Sequence, residues 1–176
     1  MTMLTLILRR SPHLALVAAL LTFASGAPAQ AQSRDSGELK AAIVLNILRF
    51  VDFPGNTETT LDLCIDPRIE ASRQIRALTN QRIGKRAIRT RSIASGSFAG
   101  CEVVYLAGNN PSVIRSAQRQ GRLVMGDGPR FVDADGTVGL VKTGGQVRFE
   151  INLGQASNNR LRISSRLVRL AARVRR

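Results

Sequence analysis

The sequence predicts one α/β domain with a central mixed sheet flanked by helices, preceded by an N-terminal signal peptide. Three observations lead there. Strand-like and helix-like segments alternate through most of the length. Apolar residues make up 44% of the 176-residue chain, enough for a packed core, which excludes an ordinary disordered tail. Residues 1–31 carry the marks of a leader: Arg9 and Arg10, an 11-residue apolar run from Leu14 to Ala24, and small residues at Ala27-Pro28-Ala29 and Ala29-Gln30-Ala31. That run is shorter than the roughly 20 residues a membrane span needs, so cleavage after Ala31 is expected. The resulting organisation is a signal peptide at 1–31, a short polar linker at 32–37 and the α/β domain at 38–176. The processed chain is expected to be soluble and exported.

The elements follow in order. Asp35 with Glu38 resembles a capping box, and the apolar positions from Leu39 to Val51 predict a helix from about Ser36 to Val51, ended by Pro54-Gly55. Leu61, Leu63 and Ile65 alternate with Asp62, Cys64 and Asp66 as in a strand. Asp66-Pro67 reads as N-cap and first position of a second helix reaching about Asn80. The basic stretch Arg82–Ile93 reads as an exposed strand, and Cys101–Ala107 as a buried one. Asn110-Pro111 caps a third helix to about Gln120, followed by a brief strand at Leu123–Met125 and turn residues Gly126–Pro129. Thr137–Lys142 and Gln146–Leu153 form a hairpin around Gly144-Gly145, and a final amphipathic helix runs from Ser164 or Ser165 to the end.

Charge and residue inventory narrow the chemistry. The chain has 26 Lys+Arg against 12 Asp+Glu, a net charge of +14. Losing Arg9 and Arg10 with the leader leaves 24 basic residues, a net charge of +12, with Lys40, Lys85 and Lys142 the only lysines. The single histidine, His13, also leaves with the leader. Ser-His-Asp, Cys-His and His-ligated metal sites are therefore excluded from the processed chain, and two cysteines cannot complete a tetrahedral thiolate site. No GxGxxG or P-loop pattern occurs, and no cofactor is expected. Asp127, Asp133 and Asp135 could serve carboxylate acid–base catalysis in an exported hydrolase, or act simply as turn formers.

Cys64 and Cys101 lie on predicted strands, and their number is even in an oxidising compartment. They form a disulfide or remain two buried thiols. A bridge would close a loop of 38 residues, worth about 4 kcal/mol at the upper end of the chain-entropy estimate. Arg166, Arg169, Arg173 and Arg176, at spacings of three, four and three, share one face of the expected last helix beside Leu167, Leu170, Ala171 and Val174. That face is either solvated over a core stripe or a surface for an acidic partner or an anionic lipid surface, without integral insertion. Nucleic acid is not expected, because the chain is exported and the processed part has only one Tyr and five Phe for stacking.

Several ordered motifs resemble one family. Lys40 to Pro54 (KAAIVLNILRFVDFP) is similar to the Lys-Ala-Ala…Asn…Phe-Val-Glu-Trp-Pro opening of the YfiR-like periplasmic proteins, with Asp52 and Phe53 in place of Glu and Trp. Leu63-Cys64-Ile65 resembles the family's first strand, and Cys101–Leu106 its Cys-His-Val-Leu-Phe-Ile strand with Glu102 in place of His. Phe149–Asn152 and Leu161–Ser165 resemble the closing motif, while the Gly-Gly-Met-Ile run is reduced to Gly136–Leu140. The likeness spans roughly residues 38–174. It implies regulation rather than catalysis: binding the periplasmic sensor domain of an inner-membrane diguanylate cyclase and lowering cyclic-di-GMP signalling. It carries the family's paired cysteines onto Cys64 and Cys101 and implies that a homodimer can form. The competing reading is a periplasmic small-ligand binding module with a cleft at the carboxyl ends of the strands. Arg166, Arg169 and Arg173 are the candidate partner surface.

Overall fold

The computed structural model describes residues 29–53, 57–93 and 97–176, with side chains described from residue 36. The body of the expected signal peptide and the Pro54-Gly55 stop lie outside the described residues. No helix among these residues is long and apolar enough to cross a membrane.

Helix α1 (Ala29–Arg49) is followed by strand β1 (Val51–Asp52). It begins seven residues earlier than expected, so the segment 32–37 is helical rather than a link. Ala and Gln around residues 29–33 have high helix propensity, and this outweighs the capping signal at Asp35 and Glu38. The helix buries Ala41, Val44, Ile47 and Leu48, spaced for one face. Each large side chain contributes about 1.5–3 kcal/mol of gross burial energy before chain entropy is counted.

Strand β2 (Thr60–Ile65) leads to a short helix, α2 (Ser72–Arg76). The expected helix from Asp66 to Asn80 is cut to these five residues. Asp66 does not cap it; its carboxylate instead accepts from the Arg68 backbone and guanidinium and from the Ala107 N–H. The basic stretch is a hairpin, β3 (Arg82–Ile83) and β4 (Arg86–Ser92), turning at Gly84 with φ +56°. Strand β5 (Val103–Leu106) then precedes helix α3 (Pro111–Ala117), capped as expected by the Asn110 side chain, which accepts from Ser112 N at 3.0 Å. It stops three residues before Gln120, its C-cap Gln118 in extended geometry.

Strand β6 (Leu123–Asp127) is followed by the expected hairpin of β7 (Val138–Thr143) and β8 (Gln146–Asn152). Gly144 and Gly145 both have positive φ, as its two-residue turn requires. A helix absent from the sequence reading, α4 (Leu153–Asn158), is capped by Asn152 through Gln155 N at 3.0 Å. The chain ends with β9 (Arg162–Ile163), α5 (Ser165–Leu170) and β10 (Arg173–Arg175).

Eight strands form one mixed sheet in the order β10-β8-β7-β6-β5-β2-β4-β3. The five strands β4, β2, β5, β6 and β7 run parallel; β3 and β8 are antiparallel to their neighbours, and β10 is parallel to β8. Leu61, Leu63, Ile65, Val103, Tyr105, Leu123 and Met125 pack with α1 and α2. Their alternates Cys64, Val104, Leu106 and Val124 pack with Ile114 and Ala117 of α3 and with Phe131. The two-residue period thus sorts the helices onto opposite faces. Fully buried Phe131 occupies a cradle of glycines: a Cβ on Gly126 or Gly136 would stand 2.2 Å from its ring.

Candidate interaction surface

Strands β1 and β9 pair antiparallel away from the main sheet, Val51 opposite Ile163 and Asp52 opposite Arg162. Ser164 N donates to the Phe50 carbonyl at 3.0 Å. The opening and closing motifs, more than 100 residues apart in the chain, therefore meet in one place. They line an open groove of about 480 Å³ formed by Arg49, Phe50, Val51, Asp52, Arg162, Ile163 and Ser164. Strand β1 also corrects the expectation that the first helix runs through Val51: pairing with β9 captures Val51 and Asp52, a long-range gain local periodicity does not register.

The groove is cationic and aromatic. The Ser164 hydroxyl accepts from Arg166 N at 3.2 Å and so caps α5, placing Arg166 in its first turn. The Arg166 guanidinium lies 5.9 Å from the Phe50 ring centroid, within cation–π range. Arg49 donates to Asn46 Oδ1 at 3.3 Å. Among the described residues, Arg49, Arg162, Arg166 and Arg169 make no ion pair. On the other side of β1, Arg86 lies 6.0 Å from the Phe53 centroid, but it is neutralised by Glu102 at 2.5 Å and held by the Thr60 carbonyl.

Of the sequence-predicted candidates, Arg166 and Arg169 share α5, and Arg173 does not join them. The last helix does not run to the end: it stops at Leu170, and Ala171 is extended. Arg173 lies in β10, opposite Glu150 of β8. Its guanidinium grips Asp133 through two bonds of 2.9 Å and Glu150 through bonds of 3.1 and 2.8 Å. Arg175 reaches Asp135 at 3.3 Å and the Val132 carbonyl at 2.9 Å. An open edge of β8 and three carboxylates outweigh the helical spacing of the arginines. The period-two run Arg173-Val174-Arg175 was the available signal for a strand.

The three aspartates are committed to different contacts. Asp133 and Asp135 hold the C-terminal arginines, and the Arg173 hydrogen bonds keep the Asp133 carboxyl below the ordinary carboxylate range. Asp127 accepts from the Tyr105 hydroxyl at 2.7 Å and from Lys40 Nζ at 3.1 Å. The Asp127 contact ties α1 to the carboxyl end of β6, and Lys40 is also 3.8 Å from Glu70, ahead of α2. Burial, then the Asp127 charge, pushes the Tyr105 phenol well above its usual range. No group of three or more His, Cys, Asp or Glu among the described residues is placed to hold a metal.

Cys64 and Cys101 are joined in a disulfide between β2 and the segment entering β5. Beside it, buried Arg122 donates to the carbonyls of Cys101, Ala117 and Phe98, and burial lowers its pKa. A cavity of about 240 Å³ lies beyond the carboxyl ends of β2, β4 and β5, lined by Asp66, Pro67, Arg68, Ile93, Phe98, Leu106 and Val113. Chain connections leave β2 toward β4 on one side and return to β5 on the other, so this cavity sits at the sheet's switch point.

Residues 37–172 match the model of the YfiR/HmsC-like family. The chain belongs to this family. The groove of this YfiR/HmsC-like protein is built from the residues that open and close the family resemblance. No curated protein matches it in sequence. Among solved structures, its fold is similar to a conserved domain protein from Vibrio cholerae O1 biovar El Tor, with TM-score 0.52 and 13% identity over 79% of this chain and 60% of that one. It is also similar to the ABC domain from Streptococcus pneumoniae, solved in complex with L-Trp, with TM-score 0.51 and 11% identity over 78% and 60%. The YfiR/HmsC-like chain thus spans about three fifths of both structures, and at these identities the likeness is one of fold.

Proposed function

We propose that this protein is a periplasmic regulatory binding protein that docks on the outward-facing sensor domain of an inner-membrane diguanylate cyclase, holds the enzyme inactive and so lowers cyclic-di-GMP signalling. The observation that carries the reading is the family match over residues 37–172 together with the meeting of its opening and closing motifs in one exposed groove. Regulation of this kind needs only unequal binding to two states of the receptor. In this reading the leader at 1–31 is removed, α1 continues from Gln32, and the protein neither enters the membrane nor binds nucleic acid. The disulfide fastens β2 to the segment entering β5 within the main sheet, and a homodimer presents the groove twice.

Deletion of the coding sequence should raise cellular cyclic-di-GMP, and supply of the exported protein should restore it. An unchanged nucleotide level on deletion contradicts the reading. A second reading, a small-ligand binding module, is supported by the cavity at the switch point and by the L-Trp held by the Streptococcus pneumoniae domain. A stoichiometric small molecule in the protein's native-state mass spectrum, with no effect of deletion on cyclic-di-GMP, would favour it.

A further inference from the structure

We infer that the groove between β1 and β9 takes an acidic segment of a partner protein with an apolar side chain as its anchor. This inference rests on the regulatory reading for the partner's identity but not for its chemistry.

The floor is apolar, from Phe50, Val51 and Ile163, while the rim carries Arg49, Arg162 and Arg166 against the single carboxylate of Asp52. Some arginines elsewhere are matched by acids, Arg86 by Glu102, Arg89 by Asp62, and Arg173 by Asp133 and Glu150, while others such as Arg115 and Arg119 stand on the surface without one among the described residues. What sets the groove apart is that Arg49, Arg162 and Arg166 flank an apolar, aromatic floor. A guanidinium fork without an acid matches a carboxylate by two parallel hydrogen bonds. Arg166 is also held over Phe50, so less side-chain freedom remains to be lost on binding. An apolar residue entering beside Phe50 would exclude water from those pairs, the arrangement in which interfacial charges contribute most. A volume of about 480 Å³ admits a few side chains of such a segment, not a folded domain.

The test uses the processed protein and a short fluorescein-labelled peptide of glutamates flanking a Leu-Phe pair, followed by anisotropy. The altered protein carries Arg162→Gln, chosen because Asp52 lies opposite, and Arg166→Glu, chosen because an acid is tolerated in a helix's first turn. The control carries the same change of charge as Arg115→Gln with Arg119→Glu, on and beyond α3. The groove substitutions should weaken peptide binding about tenfold or more, with the control near the unaltered protein. Raising ionic strength from about 0.1 M to about 1 M, which shortens the Debye length from about 10 Å to about 3 Å, should weaken it further. Equal losses in both altered proteins, no binding of the acidic peptide, or groove-dependent binding only of phosphatidylglycerol vesicles would overturn the inference. The regulatory reading fails separately. If deletion leaves cyclic-di-GMP unchanged while the peptide still binds, that reading falls and the inference stands; if regulation persists with the groove neutralised, the reverse holds.

Discussion

Two arginine-rich regions of this molecule use the same side chain in opposite ways. At the C-terminal edge, Arg173 and Arg175 are spent inside the fold, gripping Asp133, Asp135 and Glu150 and fastening β10 onto β8. At the β1–β9 groove, Arg49, Arg162 and Arg166 have no acid of their own among the described residues and flank a floor of Phe50, Val51 and Ile163. A net charge of +14 says only that cations are in excess. Pairing divides them: the first region closes the fold, while among the described residues the second keeps its guanidiniums off any acid, with that of Arg166 beside an aromatic ring.

The predictions follow from that division, beginning with the largest effect. Replacing both Cys64 and Cys101 by serine should lower stability in urea by up to about 4 kcal/mol, since the bridge limits the unfolded chain. Peptide binding at the groove should persist in the fraction that remains folded. Phe131 makes a similar test of the sheet interior: Gly136→Ala, which drives a methyl into its ring, should destabilise by about 1–3 kcal/mol in the same denaturation assay. Arg173→Ala should cost at most about 1 kcal/mol, because its pairs are partly solvated, and should raise amide exchange at β10 specifically.

Acid should also separate the regions. Hydrogen bonds from Arg89, Arg68 and Arg173 lower the pKa values of Asp62, Asp66 and Asp133 respectively. A carboxylate whose folded pKa is lowered contributes stability above its unfolded value, near 3.8, and that contribution disappears as pH falls through the folded value. Stability measured by urea midpoint should therefore hold at neutral pH and decline below about 3.8, with β10 among the first elements to exchange. A midpoint insensitive to acid in that window would remove the carboxylate clamps from the account.

The same division explains what could be read from the residues alone. The β7–β8 hairpin and the Asn110 cap were legible because their causes lie within a few positions: two glycines at positive φ in one case, an Asn-Pro pair in the other. The alternation in β2 and β5 gave the sheet, and cysteine parity with the leader favoured the bridge. The last helix was overextended because Arg173 answers to Glu150 and Asp133, 23 and 40 residues away, which no local period encodes. Arg166 was singled out for its helical spacing, yet what gives it significance is Phe50, brought near by the β1–β9 pairing. Arg49 and Arg162 were missed as members of one surface, although both lie inside or beside the family-like motifs.

The most direct measurement is a melting curve and a sensor-domain affinity taken on the same sample of protein carrying Arg162→Gln and Arg166→Glu. Because neither arginine closes an ion pair among the described residues, the melting temperature should stay within about 2 °C of the unaltered protein while affinity for the proposed cyclase sensor falls about tenfold. A marked drop in melting temperature with sensor affinity intact would show that the groove's arginines serve the fold and that recognition lies elsewhere.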